Sequence, residues 1–396
     1  MTSTLSRLVL AALLALPALA RAQPHAGREA AARYGCASCH DLPGVRVARG
    51  QDCVGCHQRV VRRAASRMGR APRVAHYVHA PDLRHVTRRL RTDYLVGFLQ
   101  DPHDVRPRLE ETMPRLPVTE ADARAIVGWL RASAGPVSAP ASPAPRRANV
   151  ARGRRVFEDA GCPACHELGN LDLGVRLPPS ALAGMGRPAH EAPNLRFVRD
   201  RMDPDVALAW ILDPRSVDPS TQMEDPELSR EDAVAVRDFL FRVDPGAPAR
   251  RRVPTTRDLT PVDRPVRFAE VRRVFQRSCI HCHAHTDGAS ASAFGFEPSS
   301  LDLSSLEGVR AGVVTPDGAR RSILEDDATG VPPLVARLLR RHAEAPRDLS
   351  APRRDALAPV ERPRPDAPVG MPLGLPPVSV EDISLIATWI AQGARP

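Results

Sequence analysis

All eight cysteines of this chain fall into four Cys-x-x-Cys pairs: Cys36/Cys39, Cys53/Cys56, Cys162/Cys165 and Cys279/Cys282. A histidine follows each pair at once, at His40, His57, His166 and His283. With 13 histidines in 396 residues, coincidence at all four places has odds of roughly one in a million. An even cysteine count suits a disulfide framework, and the first two pairs have the spacing of a zinc ribbon. Neither arrangement needs a histidine at that spot. The repeated five-residue string therefore demands a different chemistry.

Cys-x-x-Cys-His is the attachment string of c-type haem. Two thiols form thioethers to the porphyrin vinyl groups, and the adjacent imidazole becomes an axial ligand of the iron. One turn of backbone presents all three groups to one macrocycle. The reading is four covalently attached haem c groups, with His40, His57, His166 and His283 as proximal ligands and no free thiol.

Residues 1–22 read as a secretory signal. Arg7 supplies the positive start, Leu8 to Ala20 an apolar stretch of 13 residues, and Ala20-Arg21-Ala22 the cleavage site. Thirteen residues are too few to span a bilayer, no later run is long and apolar enough, and no cysteine near the cleavage site offers itself for lipidation. A soluble mature protein, periplasmic or otherwise exported, is expected. The sequence has no Lys, so Arg carries all 56 basic charges and lysine-based Schiff-base or phosphate-loop chemistry is excluded. The formal charge of +10 suggests an anionic partner, but export argues against nucleic acid. Haem propionates and signal removal would bring the mature protein far nearer neutrality.

Proline-rich stretches at 136–147 and 244–265 read as extended linkers. They leave a two-haem segment at 23–135 and one-haem segments at 148–243 and 266–396. The three share an ending, in which a methionine precedes a capped amphipathic helix. Met113 precedes Thr119 and Asp122, Met223 precedes Ser229 and Asp232, and Met371 precedes Ser379 and Asp382. Apolar residues follow each cap at +7, +10 and +11: Ile126, Trp129 and Leu130; Val236, Phe239 and Leu240; Ile386, Trp389 and Ile390. That face is read as core. The first two segments also share a beginning, since Gly27 and Gly153 each lie nine residues before the first cysteine. Ala80-Pro81-Asp82-Leu83 answers Ala192-Pro193-Asn194-Leu195, and Leu99-Gln-Asp-Pro102 answers Leu212-Asp-Pro214. About fourteen extra residues between His40 and Pro81 hold the second motif, Cys53 to His57.

This organisation resembles the class I cytochrome c family, which places Cys-x-x-Cys-His near the start of a small all-α domain and a Met-Pro loop near its end. Met113-Pro114 and Met371-Pro372 match that loop, whereas Met223 is followed by Glu224. The third segment is also similar to C-terminal haem domains of bacterial multidomain cytochromes. The resemblance implies an all-α chain of three tandem cytochrome c-like domains and makes Met113, Met223 and Met371 the sixth ligands of three irons. Cys36 holds the family position, which gives Met113 to the first haem. Yet Cys56 to Met113 spans 57 residues, like the 58 from Cys165 to Met223, so the reverse pairing stays open. The His57 haem has no methionine of its own. His79 is the first candidate and His76 the next, followed by His85, His103 and Met68. His190, His281 and His285 have no assigned role, and His342 is the substitute should Met371 not be a ligand.

The function expected is an exported tetrahaem c-type cytochrome that carries electrons between respiratory redox proteins, with no catalytic residue. Alternatives are a haem enzyme with one open iron, peroxidase-like or acting on a small substrate, and a haem subunit of a larger membrane respiratory complex.

Overall fold

The computed structural model describes residues 25–47, 52–68, 79–103, 105–109, 112–139, 141–174, 177–246, 253–280, 282–286, 289–290, 301–315, 317–344 and 369–396. The expected signal, His76, His281 and part of the second linker lie outside them. The described residues are mostly helical, with only two short antiparallel strand pairs among them.

In the first segment, α1 (25–33) leads to the Cys36 motif and α2 (Cys53–Met68) starts at the second motif. Then come α3 (Val86–Arg89), α4 (Thr92–Gln100) and α5 (Glu120–Ala134). The second segment repeats the scheme with α6 (Val150–Asp159), α7 (Pro179–Met185), α8 (Arg187–Glu191), α9 (Val198–Arg201), α10 (Pro204–Leu212), α11 (Pro214–Val217) and α12 (Arg230–Arg242). The third has α13 (Phe268–Ser278), α14 (Leu306–Ala311), α15 (Pro333–Glu344) and α16 (Val380–Ala391). Its strand pairs are β1 (His285–Thr286) with β2 (Ala289–Ser290), and β3 (Val313–Val314) with β4 (Arg320–Arg321).

The three expected caps form. Thr119, Ser229 and Ser379 each accept from the backbone N–H of the aspartate three residues on, which satisfies one orphan donor of α5, α12 and α16. The predicted faces are buried, with Ile390 half-buried. In each of the first two segments the opening and closing helices cross at a glycine. A Cβ on Gly27 would strike Ala125 O and Trp129 Cβ, the latter at 2.5 Å; one on Gly153 would strike Ala235 O and Phe239 Cβ, the latter at 2.7 Å.

Most buried apolar residues of the first two segments form one continuous cluster, from Ala30 to Leu240. Those of the third form another, around Phe275, Ile386 and Trp389. Backbone bonds also join the first two segments, from Arg91 N to Arg201 O (2.8 Å) and from Asn194 N to Val105 O (2.8 Å). The first linker lies along the second segment. Ser142 donates from N and Oγ to Asp205 Oδ1, and its Oγ accepts from the fully buried Arg237. Among the described residues no helix is long and apolar enough to cross a membrane.

Candidate haem-binding sites

Gly35 and Gly161 end their helices in the left-handed region, at φ 64° and 73°, where glycine alone is unstrained. Each turns the chain into one 3₁₀ turn, Cys36–Ser38 or Cys162–Ala164. The histidine N–H then closes back on the first cysteine carbonyl: His40 to Cys36 (3.0 Å) and His166 to Cys162 (2.9 Å). His283 makes the same bond to Cys279 (3.1 Å), but α13 runs directly into that motif without a glycine. The second motif differs again, because Cys53 and Cys56 lie in the first turn of α2. Asp52 caps that turn, accepting from Gly55 N (2.7 Å) and Arg59 Nη1 (3.3 Å).

The repeated proline has a physical role that its repetition alone does not reveal. His40 Nδ1 lies 2.8 Å from Pro81 O, and His166 Nδ1 lies 3.0 Å from Pro193 O. A carbonyl only accepts, so both imidazoles carry their proton on Nδ1 and leave the Nε2 lone pair for a metal. Burial holds both rings below the usual histidine range, with the proline carbonyls opposing it. They are therefore neutral at neutral pH. Burial also lowers His283, whose Nδ1 is buried without a hydrogen-bond partner.

Cys162, Cys165, His166 and Met223 line one cavity of about 540 Å³, within the range of about 300–1,000 Å³ for cofactor-sized ligands. Phe157, Leu195, Met202 and Ile211 add apolar walls. Trp210 Nε1 donates to Met223 Sδ (2.9 Å), holding the thioether in place. A second lone pair remains on that sulfur. These features fit a haem between His166 and Met223. One imidazole and one thioether are too few donors to hold an iron unaided, so the porphyrin would complete the set. Among the described residues no three His, Cys, Asp or Glu side chains form a group able to hold a metal ion.

The other candidates are placed differently. Met113 lines a far smaller cavity, of about 10 Å³, with Pro102, His103, Arg341 and Gly374. Its loop meets the loop following Met371, where Thr112 N donates to Gly374 O (2.8 Å). Met371 is half-buried, with its N–H on Arg337 O (3.0 Å). His342 is buried and its Nε2 donates to Val378 O (2.7 Å). His79 faces the second segment: its Nδ1 lies 3.1 Å from Glu191 Oε1 and its ring stacks at 6.4 Å on His190. His103 packs among Phe98, Tyr94 and Phe197, and the His85 Nδ1 is buried without a hydrogen-bond partner.

Burial raises the thiols of Cys36, Cys162 and Cys282 to about 11 and that of Cys279 to about 12. Cys39 and Cys53 are hydrogen-bonded to each other, which raises Cys39 and lowers Cys53 to about 7. Cys53 is also within electrostatic reach of Cys282. Three of the four motifs thus converge on one region, and nothing in the spacing of the motifs shows this.

Comparison of the chain with protein-family models, curated proteins and solved structures finds no match, so the family resemblance rests on the residues described above.

Proposed function

We propose that the chain is an exported tetrahaem c-type cytochrome, three tandem cytochrome c-like units with four covalent haems, that passes electrons between redox proteins. The observation that carries this reading is the second-segment site. There Cys162, Cys165, His166 and Met223 face one cavity with apolar walls at Phe157, Leu195, Met202 and Ile211, and the His166 proton is tied to Pro193 O. When bound, haem supplies reversible one-electron iron chemistry.

The chain's own part is to bind, orient and exclude water. Cys162 and Cys165 fix the macrocycle covalently, and Pro193 O sets the tautomer and ring plane of His166. Trp210 aims the Met223 sulfur, while Phe157, Leu195 and Ile211 keep the pocket apolar. The closeness of the Cys39 and Cys53 sulfurs supports short steps between the first two haems. No fixed catalytic group is needed, and electron carriage is the function this arrangement serves best.

The exported protein is expected to gain the mass of four haems and to titrate as four one-electron centres. Met223→Ala should lower one potential and remove one methionine-ligated ferric signal, leaving the other three centres unchanged. A colourless protein, or four unchanged centres in that variant, contradicts the proposal.

A further inference from the structure

Four guanidinium groups and five carboxylates line the cavity of His166 and Met223. Arg89 and Arg106 reach it from the first segment, Arg187 and Arg201 from the second. Arg187 pairs with Glu191 (2.6 Å) and Arg106 donates to His79 O (2.8 Å). Arg89 and Arg201 differ, because the Nε of each is buried without a hydrogen-bond partner. Each lies over an aromatic ring of the opposite segment, Arg89 4.9 Å from the Trp210 centroid and Arg201 5.8 Å from that of Tyr94.

The carboxylates on the same wall are engaged elsewhere or exposed. Asp82 is forked with Arg84, Asp218 accepts from Ser220 N and Oγ, and Glu224 and Asp225 face solvent. Burial, helped by repulsion from Arg201 and Arg106 and opposed by Asp218, pushes Arg89 down to about 10. Arg89 and Arg201 are half-buried, with their Nε atoms buried and unpaired. Like charges held so close favour a counter-anion between them, and a planar guanidinium suits a carboxylate best.

We propose that Arg89 and Arg201 form a clamp for a carboxylate-bearing ligand of this cavity, the propionates of the haem fastened at Cys162 and Cys165, so that the first segment helps hold the cofactor of the second. This rests on the haem reading above. A fixed cation near an iron favours its less positive state, so losing the clamp lowers that potential.

The test uses the whole exported protein, unaltered and as Arg89→Gln, Arg201→Gln, Arg89→Lys and Arg201→Lys. Haem count is read by mass, and potentials by spectral titration with and without inorganic phosphate. All variants should keep four haems, since the thioethers are untouched. The glutamine variants should lower one and the same potential, the lysine variants should lower it less, and phosphate should have no effect. Unchanged potentials in whichever variants fold overturn the clamp while leaving the haem reading intact. A phosphate-dependent potential in the unaltered protein, lost in the variants, also overturns it, by assigning the clamp to a free anion. An unaltered protein without haem removes both readings.

Discussion

At the residue scale, the proline carbonyls and the axial candidates carry most of the meaning. The repeat Ala-Pro-x-Leu is plain in the sequence, but Pro81 and Pro193 acquire a role only when the fold brings them to His40 and His166, 41 and 27 residues away. Met223, which lacks the following proline, is nevertheless the one of the three candidate methionines that lines the cavity of its own Cys-x-x-Cys-His, alongside Met185 and Met202. Met113 keeps the proline and is placed against the third segment. Local sequence resemblance and spatial placement thus rank the methionines differently. His342 offers a clean test in the third segment. Its Nε2 donates to Val378 O, so we expect it to act as a structural donor and Met371 to act as the ligand. His342→Gln is expected to leave all ligand-sensitive haem bands unchanged, at a stability cost of about 1 kcal/mol, while Met371→Ala alters those of one haem. Spectra of the two ferric variants decide this, and the opposite pattern would exchange the two roles.

At the element scale, the helix crossings are the most restrictive feature. Gly153 lets α6 lie on α12 so closely that any side chain would meet Ala235 O and Phe239 Cβ. Gly153→Ala should therefore destabilise the protein by about 1–3 kcal/mol or more. Gly128 lies on the exposed face of α5, and a methyl group added there would have nothing within 4 Å, so Gly128→Ala should be neutral or stabilise by up to about 1 kcal/mol. Paired denaturant titrations check both, and equal effects would mean that close packing at the crossing is not the reason for the glycine. The caps at Thr119, Ser229 and Ser379 are legible in the sequence because a cap and its helix face are local. The nine-residue spacing of Gly27 and Gly153 is visible there too. Its cause is not, since the helix each glycine touches begins 93 or 77 residues later. The seat of Ser142 on Asp205 and Arg237 is hidden for the same reason: a proline-rich stretch reads as a linker until its polar partners are known.

At the scale of the whole molecule, the chain reads as three similar pieces but buries its apolar surface as two clusters. The first and second segments share theirs, and the third has its own. Across the shared boundary run the Arg91–Arg201 and Asn194–Val105 backbone bonds, and Arg108 Nη1 donates to Cys165 O (2.9 Å) and Ala189 O (3.0 Å). That arginine braces the turn which carries the second-segment motif. A haem-loaded fragment 148–246 would lose these bonds and expose part of the common cluster. At about 1 kcal/mol for each of two or three bonds, before any apolar contribution, its melting temperature should fall about 10 °C or more below that of fragment 23–246. Fragment 253–396 retains its cluster whole but loses the Thr112–Gly374 bond and the packing of Leu373. With about 1 kcal/mol lost, it should melt only a few degrees below the corresponding transition of the full chain. Thermal melts of the three fragments measure the difference directly. If 148–246 and 23–246 melted together, the shared cluster would contribute no mutual stability, and contact between those segments would serve only to bring Arg89 and Trp210 to the same pocket.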